Sequence, residues 1–107
     1  MKDYKIKAGN FKQLIEPMGG CIAPDTITVE GLPVRFMYRD EPSNDIDSGW
    51  QFFSGTESQE YIDNSDNSAI YDVNTIANYD PTIIPYLHYP TGTDLVRVEG
   101  SDEFVEA

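Results

Sequence analysis

The chain has 107 residues, 39% of them hydrophobic and thirteen aromatic, and it sets nineteen acids against seven bases for a formal charge of −12. That length suits one domain, residues 1–107, with one modest core, and the apolar content excludes a disordered acidic tail. The charge argues against a nucleic-acid or anionic-membrane surface, because both partners are negatively charged and would be repelled.

The first ten residues, MKDYKIKAGN, put charges where an export signal needs an apolar run, and no stretch approaches the roughly eighteen apolar residues of a membrane span. A cytoplasmic protein is expected. The single Cys21 fits a reducing compartment, and its place at the head of Cys21-Ile22-Ala23 favours a buried over a reactive thiol. Tyr4, Ile6 and Ala8 alternate with Lys5 and Lys7 as in a short strand. Asn10 is placed to cap a short helix with Phe11, Leu14, Ile15 and Met18 on one face, closed by Gly19-Gly20. Residues 1–20 therefore read as a strand and a short helix.

Residues 21–23, 26–29 and 33–38 read as strands, the last two joined as a hairpin across Glu30-Gly31. Residues 39–48 are polar, contain Pro42 and read as a loop. Trp50 to Phe53 is the most apolar strand candidate. Thr56 then caps a short acidic helix over 57–62, with Gln59 completing a capping box. Residues 63–68 are turn formers. In the next stretch, Asp72 caps a helix over 73–79, and Asp80 caps a second one with Pro81 at its first position and Pro85 limiting its length. Asn74 and Asn78 share a face of the first helix, where their amides either bond exposed backbone or meet a ligand. Residues 95–98 and 104–105 close the chain as strands. Strands interrupted by short helices, without regular βαβ spacing, give an α+β fold with a mainly antiparallel sheet.

No catalytic or metal-binding motif emerges. There is one histidine, His88, and one cysteine, so a His/Cys zinc site is excluded, and His88 reads as a packed ring among aromatics. No nucleophile elbow or glycine-rich phosphate loop occurs. Asp63, Ser65 and Asn67 begin a calcium-loop template, but Ser68 stands at its glycine and Asn74 at its closing glutamate. We expect no cofactor and no enzymatic activity. What remains is charge: from Asp40 to Val96 there is no Lys or Arg, while eleven acids are spread along the same span. Plain solubility and attraction of a basic partner are both open readings of that field.

The run Asp47-Ser48-Gly49-Trp50-Gln51-Phe52-Phe53-Ser54-Gly55, the pair Glu60-Tyr61, the run from Ile70 to Pro81 containing Asp72-Val73-Asn74-Thr75-Ile76, then Ile84-Pro85 and the ending Glu103-Phe104-Val105-Glu106 resemble the signature of a bacterial domain family. It is the immunity-protein-33-like family, formerly of unknown function, and the likeness covers about residues 21–106. The resemblance implies protection of a cell against a polymorphic toxin by direct binding, with no catalytic residues to carry over.

Charge and resemblance together lead to a small acidic immunity-type protein that neutralises a protein partner, such as a basic toxin domain, through a face containing Asp45, Asp47, Glu57, Glu60, Asp63 and Asp66. Trp50 joins that face as an aromatic anchor if it is exposed, and the core if it is not. The alternative is a ligand-binding or enzymatic domain with a pocket along Tyr71 to Asp80, using Asn74, Asn78 and Asp80 as polar contacts.

Overall fold

A computed structural model describes residues 2–7 and 9–107. Six strands form one sheet: β1 (Gly20–Pro24), β2 (Phe36–Arg39), β3 (Asp47–Phe53), β4 (Ser68–Asp72), β5 (Asp94–Arg97) and β6 (Phe104–Glu106). Their order across the sheet is β4-β1-β3-β2-β5-β6, and every neighbouring pair is antiparallel except β1 with β3. Three short helices, α1 (Asp25–Thr28), α2 (Gln59–Asp63) and α3 (Val73–Tyr79), and 3-10 turns at Ser65–Asn67 and Pro81–Tyr86 complete a single α+β domain.

Alternation along β3 explains where the core lies. Trp50 and Phe52 point to one face and stack with ring centroids 6.0 Å apart, while Gln51 and Phe53 point to the other. Met37 and Leu95 lie beside Phe52 in register on the inner face, and Ile27, Ile76, Ile83 and Leu87 from the helices and turns close over them. Full burial of a side chain such as Phe52 contributes about 2 kcal/mol. Gly49 lets β3 start where it does: its φ is +87°, and an added Cβ would sit 2.1 Å from the Asp40 carbonyl oxygen.

The caps at Asp72 and Asp80 form as the sequence indicates. The Asp72 carboxylate accepts from the Asn74 amide at 3.0 Å, and Asp80 accepts from the Thr82 amide at 3.1 Å with Pro81 at the first position of its 3-10 turn. Elsewhere tertiary contacts override local preference. Residues 25–28 form the turn α1 where a strand is expected over 26–29, because the chain leaving β1 must fold back over the inner face to bury Ile27 and Thr28. The expected hairpin with residues 33–38 therefore does not form. Ser58 rather than Thr56 caps α2, its hydroxyl accepting from the Tyr61 amide at 3.1 Å. Residues 68–72, read as turn and helix approach, form β4 and pair with the whole of β1.

The N-terminal expectations are corrected most. Described residues before Gly20 form neither strand nor helix, and Ala8 lies outside the described residues. Tyr4 and Ile6 are half-buried and Lys5 and Lys7 exposed, so the period of two survives, but the segment is held by single contacts rather than a ladder: Lys5 donates its amide to the Thr28 carbonyl at 2.9 Å. Residues 12–15 run as a strap over α3, because Asn74 and Asn78 bond their backbone and leave Phe11 and Leu14 exposed.

Candidate functional site

Strand register places the acidic candidates at two ends of the sheet rather than in one cluster. β1 and β3 run parallel with Gly20 beside Asp47, so Asp45 and Asp47 lie where both strands begin. Glu57 follows the far end of β3 and accepts a hydrogen bond from Thr26 just beyond the far end of β1. Glu60, Asp63 and Asp66 lie on α2 and the following 3-10 turn, which leads into Ser68 opposite Pro24 at that same far end. Seven residues of β3 separate the two groups by about 20 Å.

Not all these carboxylates face solvent freely. Asp47 is half-buried and accepts from the Ser43 amide at 2.9 Å, the Ser43 hydroxyl at 3.0 Å and the Gly49 amide at 2.9 Å. Those bonds, the Ser43 amide first, hold its carboxyl below the ordinary range. Glu57 ties together the turn after β3: it accepts from Thr26 Oγ1 at 2.5 Å, Ser54 Oγ at 2.6 Å, the Ser54 amide at 2.9 Å and the Gly55 amide at 3.0 Å. Burial pushes the Glu57 carboxyl upward, but the bonds from Ser54 and Thr26 outweigh it and its pKa sits below the ordinary value. Both are turn anchors. Asp45, Glu60, Asp63 and Asp66 are exposed, and none has a cationic side chain within ion-pair distance among the described residues.

Four of the seven cations are occupied elsewhere. Lys2 pairs with Asp25, Lys7 with Asp3, and Arg97 with Asp80. Arg39 donates to the Ser48, Leu87 and Tyr89 carbonyls and lies over the Trp50 ring at 5.6 Å.

Trp50 is corrected out of any binding face. It is 0% exposed, because it pairs with Arg39 on the inward side of β3, and its indole N–H donates to the Leu87 carbonyl at 3.2 Å. Burial likewise pushes the Cys21 thiol well above its ordinary range, so it is an inert core residue.

The alternative pocket is corrected as well. Asn74 Oδ1 accepts from the Leu14 amide at 2.8 Å and the Ile15 amide at 3.2 Å, while both Asn74 and Asn78 donate their Nδ2 to the Lys12 carbonyl at 2.8 Å. Their hydrogen-bonding capacity holds the strap. Asp80 is buried against Arg97, Val34 and Thr82. A cleft of about 400 Å³ does open between the strap and the Pro81–Tyr86 turn, but it is lined by Ile15, Met18, Ile84 and their neighbours, not by these three residues. His88 stands exposed at its rim, not packed as the sequence suggests. Among the described residues no group of three or more His, Cys, Asp or Glu side chains is placed to hold a metal ion, and no helix is long and apolar enough to cross a membrane.

Sequence patterning did not flag the outer face of the sheet. Register aligns Ile70, Ile22, Gln51 and Tyr38 across β4, β1, β3 and β2 in one row. Phe53, Phe36, Val96 and Val105 form a second across β3, β2, β5 and β6. Helices α1 and α3 bury their side chains in the inner core, and these rows stay open to solvent, with Ile70 79% exposed. The signal available in sequence was the outward half of each strand alternation, which becomes a face only once strand order is known.

The model of the immunity protein Imm33 domain family matches residues 21–107. No curated protein and no solved structure matches the chain.

Proposed function

The chain belongs to the immunity protein Imm33 domain family, and from that premise we propose that it neutralises a toxin by direct protein contact through its uncompensated carboxylates. The observation that supports this is the exposure of Asp45, Glu60, Asp63 and Asp66 without ion-pair partners, in a molecule where Arg39, Arg97, Lys2 and Lys7 are held by internal contacts. A toxin that acts on nucleic acid presents a basic groove, and an acidic inhibitor approaches such a groove faster and in a fixed orientation. Asp47 and Glu57 contribute negative potential while serving the turns. The protein acts as a stoichiometric binder rather than an enzyme, in the cytoplasm of the protected cell, where Cys21 stays reduced.

The test is co-expression with the product of each gene adjacent to this chain's own, taking as the toxin domain the one that arrests growth. Wild type restores growth, and the triple reversal Glu60→Lys, Asp63→Lys, Asp66→Lys slows association with the purified domain and flattens its salt dependence. Growth arrest unrelieved by wild type, or a triple variant with unchanged rate and salt slope, overturns the proposal.

A further inference from the structure

We propose that the open outer face of the sheet is the docking surface, and that its occupant is a basic protein domain seated across the strands with its cationic groups reaching the carboxylates at both strand ends. This builds on the neutralisation reading above and names the surface that performs it.

Two features of the face converge. Its centre is apolar: Ile70, Ile22, Phe36, Tyr38 and Val105 are all exposed on it, alongside half-buried Phe53 and Val96. A sheet face left this apolar in water is uncommon in a monomer and marks a contact surface. Six strands at about 4.8 Å spacing and the length of β3 make it about 25 Å by 20 Å, on the order of 500 Å², and the acidic ends bring it toward the roughly 800 Å² per partner of a standard interface.

Charge selects the occupant. Asp45 and Asp72 stand at one end of the rows, Glu60, Asp63 and Asp66 at the other, and Asp94 continues the row of Tyr38 on β5. An apolar centre within an acidic rim has the layout of a protein interface whose partner carries Lys and Arg at matching positions. A second copy would set rim against like-charged rim at −12 per chain, and an anionic lipid surface would be repelled in the same way.

The experiment uses the full chain and, as probe, the neighbouring gene product that arrests growth in the co-expression test, purified in a non-toxic variant. Ile70→Asp and Phe36→Asp alter outward side chains, and circular dichroism verifies their fold; should Phe36→Asp unfold, Ile70→Asp at the more exposed position carries the measurement. Each is expected to weaken binding by about tenfold or more, and Leu14→Asp on the opposite, strap side to leave it unchanged. Light scattering is expected to find the chain alone monomeric. Wild type that neither binds nor protects against this domain overturns the neutralisation reading and this inference with it. Wild-type binding that survives in both face variants overturns the surface alone. So does a homodimer that Ile70→Asp disperses, because the second copy is then the occupant.

Discussion

The Arg97 guanidinium meets the Asp80 carboxylate at 2.5 Å, with the two side chains 10% and 8% exposed. Each group is satisfied further: Asp80 accepts from the Val34 amide at 2.8 Å, and Arg97 donates to the Val34 carbonyl at 2.8 Å and lies 5.0 Å over the Phe104 ring. One ion pair thus fastens the approach to β2, the turn after α3, β5 and β6. Asp80→Ala removes the buried carboxylate and leaves Arg97 only the exposed Asp102 at 3.3 Å as an ionic partner, a loss expected to cost about 3 kcal/mol, read as a lowered urea midpoint. Replacing both residues with apolar side chains of similar volume is expected to cost less than the single change.

Glu57 makes stability depend on acid. Its folded pKa lies below the ordinary value of 4.5, so the unfolded chain takes up the proton first as pH falls. The contribution is complete above that value and is lost as pH drops through the lower folded one. Glu57→Gln is expected to lose on the order of 1 kcal/mol at pH 7, allowing for the part exposure of the group, and the gap to wild type should narrow on acidification. Urea titrations at pH 7, 5 and 3 measure it.

Asn74 holds the strap through three bonds, to the Leu14 and Ile15 amides and the Lys12 carbonyl. Asn74→Ala should release residues 12–15 at a cost of about 1–2 kcal/mol. Amide exchange at Leu14 and Ile15 should accelerate while exchange in β3 changes much less, a local opening rather than a global one.

Gly49→Ala should destabilise the fold by several kcal/mol. The positive φ and the approach of Asp40 oxygen to 2.1 Å from an added Cβ both oppose it, and the obstacle is backbone, which cannot swing aside. Gly92→Ala, also at positive φ but with nothing within 4 Å, should cost only about 1 kcal/mol. Comparing the two melting temperatures separates collision from torsion.

Capping was legible at Asp72, Asp80 and Pro81, which carry their own instructions within three residues, but not at Thr56, two positions from the true cap Ser58, nor at Asn10, where no helix forms. Trp50 to Phe53 was legible as a strand from its apolar density. Asn74 and Asn78 were legible only as two alternatives, and the structure shows the backbone-bonding one, sixty residues away in sequence. The strap and β4 were hidden for the same reason, since an extended segment paired with distant chain has no periodicity that distinguishes it from a turn. The acidic candidates could be listed from the sequence as residues, but their division between two strand ends depends on β1 and β3 lying parallel. Nothing in the local sequence specifies that.

β4 is an outermost strand, paired on one side only, and Ile70 stands at its middle with Asp72 at its end and Asp66 just before its start. Such a border offers free backbone groups to any other extended chain, and the usual guard is charge placed beside it. Here the guard is made of carboxylates alone, Asp66 and Asp72. Like charge on every copy opposes strand-to-strand addition, and because that repulsion acts between exposed groups, high salt weakens it while leaving the fold's internal bonds in place.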